Sequence, residues 1–147
     1  WNDTDPTSSV FTISTSGKGN DPGKRMVAYC WHSVEGYSKF GSYEGNGGTD
    51  GAFIYTGFKP RMVMWKNVDA TNNWVIVDTA RSPNNPITGS SSTLYVDTTN
   101  QESDLSTTID LLSNGFKART DGGHINATNT YIYIAWAEMP FKYATAR

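Results

Sequence analysis

Segments in which aromatic and β-branched residues alternate with small or polar ones recur along most of this chain. Residues 37–43 are one such segment, and residues 130–138 form the longest run of aromatic and β-branched residues, with Tyr, Ile and Trp at most positions. This alternation matches the two-residue period of a β-strand. Such residues also suit a pleated, half-buried surface better than a helix. The pattern therefore predicts an all-β chain.

Composition supports the same fold class. The chain has 147 residues, the size of one domain. Threonine occurs 18 times and leucine 4 times, and the low leucine content favours strands with an aromatic core. We expect a single β-sandwich domain over residues 1–147. Residues 1–24 are expected to be either a linker or a first strand that continues from an upstream region.

Ten segments have the composition of strands, and no segment has a convincing helical period. Residues 25–32 are expected to form a central strand, either covered on both faces or with one face on a core and the other on a partner chain. The predicted architecture is an antiparallel two-sheet sandwich or jelly roll of about nine or ten strands. The predicted strands are residues 10–13, 25–32, 37–43, 52–56, 61–66, 74–78, 94–96, 109–112, 116–119 and 130–138.

Glycine, asparagine and proline mark the turns between these strands. The glycine-rich residues 45–51 predict a hairpin turn, and Asn114-Gly115 predicts a type I′ hairpin. Residues 61–66 and 74–78 are expected to pair antiparallel. Residues 81–92 predict a long surface loop, the kind of segment that often carries function. Pro140 is expected to stop the last strand.

Charge and cysteine content exclude several classes of partner. Twelve Lys and Arg against 14 Asp and Glu give a net charge of −2, which does not favour nucleic acid or an anionic membrane. No apolar run approaches the roughly 20 residues of a membrane span. The single Cys30 cannot form an internal disulfide, and we expect it to be a small buried hydrophobe.

The sequence carries no pattern typical of catalysis or of a bound cofactor. His32 and His124 are the only histidines, and their spacing does not fit a zinc site. No phosphate-binding glycine motif is present. We expect no cofactor and no catalytic metal, although a loop-bound Ca²⁺ stays open. Four carboxylates could act as the acid and base of a glycosidase, but surface carboxylates are the simpler interpretation: Glu35, Glu44, Asp50 and Asp78.

Aromatic residues in polar surroundings are the strongest indication of a binding site. Sugar rings have apolar C–H faces that stack on Trp and Tyr, while Asn, Asp and Arg bind their hydroxyls. The alternatives are a place in the core or a subunit interface for the aromatic residues, and a strand-end salt bridge for Asp78 and Arg81. The predicted ligand contacts are Trp31, Tyr37, Tyr43, Asp78, Arg81 and Asn84. Trp65, Trp74, Tyr95 and Asn85 are further candidates.

Five segments together resemble a C-terminal domain of tailed-bacteriophage tail-fibre and structural proteins. This domain is common in marine phages and is often found downstream of a concanavalin-like lectin domain. The resemblance extends from about residue 25 to the end of the chain. It implies an extracellular location on the virion, a non-enzymatic role and a homotrimer, and it assigns no residue a role. The segments are residues 27–43, 51–60, 74–81, 111–117 and 131–141.

We therefore expect a trimeric fibre domain that contributes to recognition of a host-surface polysaccharide and contacts other tail proteins of the virion. Repeating a weak site on a trimer would raise the avidity for a cell surface. Residues 131–137 are the expected element of the trimer contact. The alternative is a purely structural subunit of a fibre or appendage, with no ligand. A polysaccharide-cleaving enzyme is the third alternative.

Overall fold

The computed structural model describes residues 4–15, 17, 19–87, 93–102 and 109–139. The chain divides into two compact units, Trp1–Trp31 and His32–Arg147. Every strand in the described part of the chain lies in the second unit.

The second unit is built from β-strands, and no helix occurs among the described residues. This confirms the predicted all-β class. Eight strands are described, against the nine or ten expected. They are β1 (Ser38–Glu44), β2 (Phe53–Tyr55), β3 (Pro60–Asn67), β4 (Val75–Asp78), β5 (Leu94–Tyr95), β6 (Ile109–Leu112), β7 (Gly115–Ala118) and β8 (Thr130–Ala137).

The strands form two antiparallel sheets. The larger has the order β1-β8-β3-β4-β5, and the smaller has the order β2-β7-β6. In the larger sheet β8 lies between β1 and β3. It pairs with β1 over residues 130–136 and with β3 on its other side. The register between β3 and β8 shifts once, between Pro60 and Met62.

One side of each sheet contributes to a single core. In β3 and β8 alternate residues are buried, among them Trp65 and Tyr133, while Ile54 and Phe116 are buried in the smaller sheet. The rings of Phe116 and Tyr133 meet edge to face with centroids 5.4 Å apart, an arrangement that aromatic pairs favour. These contacts join the two sheets and are consistent with a sandwich.

Two of the ten predicted strands are wrong, and they account for the lower strand number. Residues 10–13 and 25–32 form no strand. Side chains 26–32 are all exposed, including that of Cys30, which was expected to be buried. A run of apolar residues has the same local pattern whether it is covered by its own chain or not.

The predicted pairings are correct where the strands are close in sequence. Strands β3 and β4 pair as expected, and β6 and β7 form the expected hairpin. The turn predicted at Asn114-Gly115 is wrong by one residue: Leu112 pairs with Gly115, so the loop is Ser113 and Asn114, and Gly115 begins β7 without a positive φ. The hairpin predicted across residues 45–51 is wrong, because β1 belongs to the larger sheet and β2 pairs with β7 in the smaller one. Residues 88–92 and Pro140 lie outside the described residues.

Buried asparagines hold the loops at one end of the second unit. The Nδ2 atom of Asn126 donates to Asn46 Oδ1 at 2.8 Å and to the Gly48 carbonyl at 2.7 Å, and its Oδ1 accepts from the N–H groups of Asn46 and Ala52. Asn126 is fully buried. This network fixes the loop that leads into β2.

Candidate functional site

Asp78 and Arg81, two of the predicted ligand contacts, form a strand-end ion pair. Arg81 Nε lies 2.6 Å from Asp78 Oδ2, and Arg81 Nη1 lies 3.1 Å from Glu102 Oε1. Asp78 Oδ1 accepts from the N–H groups of Ala80 and Arg81, which closes the turn after β4. Both side chains are therefore used within the chain, as in the salt-bridge alternative. Asn84 is exposed on the loop that follows.

Tyr43 lies against the core. Its ring stacks on Tyr131 with centroids 5.0 Å apart, and its hydroxyl donates to the Ile125 carbonyl at 2.8 Å. Burial raises the pKa of the Tyr43 hydroxyl well above its ordinary value, and Tyr131 adds to the rise. This placement corresponds to the core alternative for the aromatic residues.

Trp31 and Tyr37 are exposed. Trp31, in the first unit, stacks on the exposed Tyr29 with centroids 6.0 Å apart. Tyr37 immediately precedes β1 and is 41% exposed. Of the six predicted contacts, the structure joins Asp78 with Arg81 and places Tyr43 elsewhere, against the core. Among the further aromatic candidates, Trp65 is fully buried, whereas Trp74 and Tyr95 are half-buried.

The outer face of the smaller sheet presents two aromatic side chains that the sequence analysis did not select. Phe53 and Tyr55 on β2 are 46% and 64% exposed, while Ile54 between them is buried in the core. Cross-strand pairing places Phe53 beside Lys117, and Lys117 beside Asp110. Two strand spacings separate Phe53 from Asp110, about 10 Å. We call this surface the β2–β7–β6 face.

A buried glycine lies in the middle strand of this face. Gly115 stands between Tyr55 and Leu112 in the cross-strand row. A Cβ atom at Gly115 would be 3.0 Å from the Cζ atom of Phe53, so the Phe53 ring reaches towards the glycine. Gly115 is buried, and the Ile54 carbonyl oxygen would lie 2.1 Å from the same Cβ atom, so the glycine allows β2 to pack closely on β7.

Charged groups lie in and next to the cross-strand row of Phe53. Lys117 Nζ lies 2.7 Å from Asp50 Oδ1, and Arg119 Nε lies 3.3 Å from Asp110 Oδ2. Arg119 Nη1 also approaches Asp50 Oδ1 at 3.8 Å. The hydrogen bond from Lys117, with the attraction of its charge, holds the pKa of the exposed Asp50 carboxyl below its ordinary value. The face therefore offers donors and acceptors of fixed charge next to an apolar surface.

An open pocket of about 440 Å³ adjoins this face along β6. It is lined by Asn85, Pro86, Asp110, Leu112 and Arg119. The Asn85 side chain is fixed by two hydrogen bonds to the Leu111 backbone. The pocket is open to solvent and combines a few fixed polar groups with an apolar part.

The chemistry of the β2–β7–β6 face matches that expected of a carbohydrate site. Exposed Phe53 and Tyr55 can stack on the C–H face of a sugar, while Arg119, whose side chain stays 45% exposed in its ion pair with Asp110, can donate to hydroxyl groups. The sequence carried one usable signal, the alternation across residues 53–55. It could not reveal which side faces solvent, since that depends on the pairing of β2 with β7.

Among the described residues, the other titratable groups are dispersed. Burial lowers the pKa of His124, whose backbone carbonyl accepts from Trp65 Nε1 at 2.8 Å. Across the described ranges, no group of three or more His, Cys, Asp and Glu side chains could hold a metal ion. Nor do these ranges contain a helix long and apolar enough to cross a membrane. The candidate glycosidase carboxylates are dispersed: Asp78 bonds to Arg81, Asp50 to Lys117 and Glu44 to Thr130, and Glu35 is exposed.

Comparison with protein families gives one match. A family model described as a domain of unknown function (DUF7483) matches residues 1–140, nearly the whole chain. No curated protein and no solved structure matches the chain at a significant level.

Proposed function

The chain belongs to the DUF7483 family, and we propose that it is a non-enzymatic, trimeric domain of a phage tail fibre that helps to recognise a host-surface glycan. The glycan site of this proposal is the β2–β7–β6 face with its adjoining pocket. The virion location and the contact with other tail proteins follow from the resemblance to tail-fibre domains.

The observation that carries the glycan proposal is the exposed pair Phe53 and Tyr55 beside a row of ionic groups. Exposed aromatic residues next to Asp110 and Arg119 provide both kinds of contact that a sugar needs. The spacing of these aromatic and charged residues along one face would allow several sugar units to bind at once. A weak site would be sufficient, since three copies on one fibre would bind a cell surface with higher avidity.

Strand connectivity supports assignment to the jelly-roll class of sandwich. The first strand pairs with the last, β1 with β8, in one sheet, and β2 pairs with β7 in the other. Jelly rolls, which are common in viral and lectin domains, contain these two outer pairings, although here β3 pairs with β4 and not with β6.

A half-exposed apolar surface supports the proposed assembly. The outer face of the larger sheet carries Phe40, Met62, Met64 and Trp136, and the rings of Phe40 and Trp136 are 6.1 Å apart. Residues 131–137, the expected element of the trimer contact, thus have two different sides, one in the core and one on this surface. The same surface favours the second candidate function, a structural subunit that assembles without a ligand.

Binding of the whole chain to arrays of bacterial surface polysaccharides tests the proposal. We expect saturable binding to at least one polysaccharide, competed by its free oligosaccharide. An assembled oligomer that binds no host cell and no polysaccharide would contradict glycan recognition and favour the structural role. Release of reducing ends that disappears in Glu35→Gln or Asp78→Asn would instead support the enzyme alternative.

A further inference from the structure

The first unit contains a strand-like segment with nothing covering its side chains. Met26, Val27, Tyr29 and Trp31 are 49%, 77%, 75% and 59% exposed. Soluble chains seldom expose so many large apolar side chains within six residues. We call residues 25–31 the arm segment.

The backbone of the arm segment is also unpaired. Within the described part of the chain, none of its N–H or C=O groups has a hydrogen-bond partner. Val27, Tyr29 and Trp31 are of the types that favour strands, and the segment contains no Gly or Pro. A row of free backbone groups that carries strand-forming side chains is a template for pairing with another strand.

The apolar area of this unit is of the size found in protein interfaces. Together with the exposed Val10, Phe11 and Ile13, the arm side chains expose on the order of 700 Å². A standard interface buries about 800 Å² on each partner. This area is large enough for a stable contact between chains.

We propose that the arm segment is an intermolecular β-strand whose partner is a second copy of this chain. A second copy offers a matching surface, because β1 is an edge strand whose outer side, among the described residues, is bonded only at Ser38 and Phe40, by residues 33 and 34. The Tyr37 carbonyl accepts from the Ala137 N–H, so by antiparallel alternation the backbone groups of Ser42 and Glu44 point away from β8. Among the described residues these groups have no partner.

The inference deepens the assembly part of the proposed function and rests on its oligomer, but not on glycan binding. The net charge of −2 does not prevent close approach of identical chains. A strand contributed by each chain would add main-chain hydrogen bonds to the burial of Tyr29 and Trp31.

Light scattering of the whole chain over a range of concentrations tests the inference, with Val27→Lys and Tyr29→Lys as arm variants. Val96→Lys is the matched control, because Val96 is 54% exposed in the second unit. We expect the wild type and the control to have three times the mass of one chain. The oligomers of the arm variants should dissociate at protein concentrations at least tenfold higher than the wild-type oligomer does. Their circular dichroism spectra should be unchanged. In hydrogen exchange, amides 26–31 should be protected in the oligomer and exchange rapidly after dilution to monomer.

An oligomer whose mass is unchanged in both arm variants would overturn the inference while leaving the proposed trimer intact. A wild type that is monomeric at every concentration would overturn both, and protection of amides 26–31 in a monomer would show that the arm pairs within its own chain. Polysaccharide binding is measured separately from oligomer mass. If the inference is right, a monomeric Val27→Lys variant keeps its site but binds a polysaccharide surface more weakly.

Discussion

The side-chain amide of Asn85 pairs with the backbone of Leu111 as a neighbouring strand would. Its Nδ2 donates to the Leu111 carbonyl at 2.8 Å, and its Oδ1 accepts from the Leu111 N–H at 3.0 Å. Two residues later, the backbone of Ile87 exchanges hydrogen bonds with Ile109. The loop after β4 therefore covers the outer edge of β6, and it holds the pocket wall against that strand.

Replacing Asn85 should loosen this edge. We expect Asn85→Ala to lower the free energy of unfolding by about 1–3 kcal/mol, since it leaves two backbone groups without a partner. Asn85→Asp should lower the free energy of unfolding at least as much, because a carboxylate oxygen would face the Leu111 carbonyl oxygen. Urea unfolding measures both, and Asn84→Ala, on the exposed neighbour, should stay within about 0.5 kcal/mol of wild type. Equal stability of all three variants would contradict the role of Asn85.

Asn126 should be one of the most sensitive polar positions. Asn126→Ala removes four hydrogen bonds of a fully buried amide, and we expect a loss of about 2–4 kcal/mol in unfolding free energy. Asn100→Ala, at an exposed position, is the control and should change little. If both variants melt at the wild-type temperature, the loop of residues 45–51 does not depend on Asn126.

Gly115 should not tolerate a side chain. A Cβ atom there would lie 2.1 Å from the Ile54 carbonyl oxygen, so β2 and β7 would have to separate. We expect Gly115→Ala to lower the free energy of unfolding by more than about 2 kcal/mol. Gly19→Ala, where no atom lies within 4 Å of the added group, is the matched control. Thermal unfolding of the two variants compares them directly, and a wild-type melting temperature for Gly115→Ala would count against the β2–β7 contact.

Acid should weaken the Asp78–Arg81 pair. Partial burial raises the pKa of Asp78, but hydrogen bonds from the Arg81 side chain and backbone outweigh it, so the pKa lies below its ordinary value. The stabilisation is therefore present above the unfolded pKa of about 3.9 and is lost as the pH falls through the lower folded pKa. Asp78→Asn should be less stable than wild type at pH 7, by a difference that shrinks below about pH 4. Urea unfolding across this range measures it, and a difference independent of pH would contradict a charged pair.

Strands close in sequence could be predicted because their partners are local. The β6–β7 hairpin follows from Asn114 and Gly115, and the β3–β4 pair follows from two apolar runs with a short polar turn between them. The pairing of β2 could not be predicted. It depends on the close approach of Gly51 and Ala118, whose backbones share a hydrogen bond across 67 positions of sequence.

The candidate site was missed for the same reason. Tyr55 and Tyr43 look alike in sequence, yet one is 64% exposed and the other packs on the core. Only the sheet assignment decides which aromatic side chain reaches solvent. Asp78 and Arg81 were correctly expected to be close, since three positions separate them at a strand end, and they form the strand-end salt bridge that was the alternative to ligand contact.

Binding of the Tyr55→Ala variant to a polysaccharide that the wild type binds tests the central claim most directly. We expect binding to fall at least tenfold with the melting temperature within a few degrees of wild type, since Tyr55 is exposed. Tyr37→Ala, which removes another exposed tyrosine, should retain wild-type binding. Undiminished binding by Tyr55→Ala with loss in Tyr37→Ala would contradict a site on the β2–β7–β6 face.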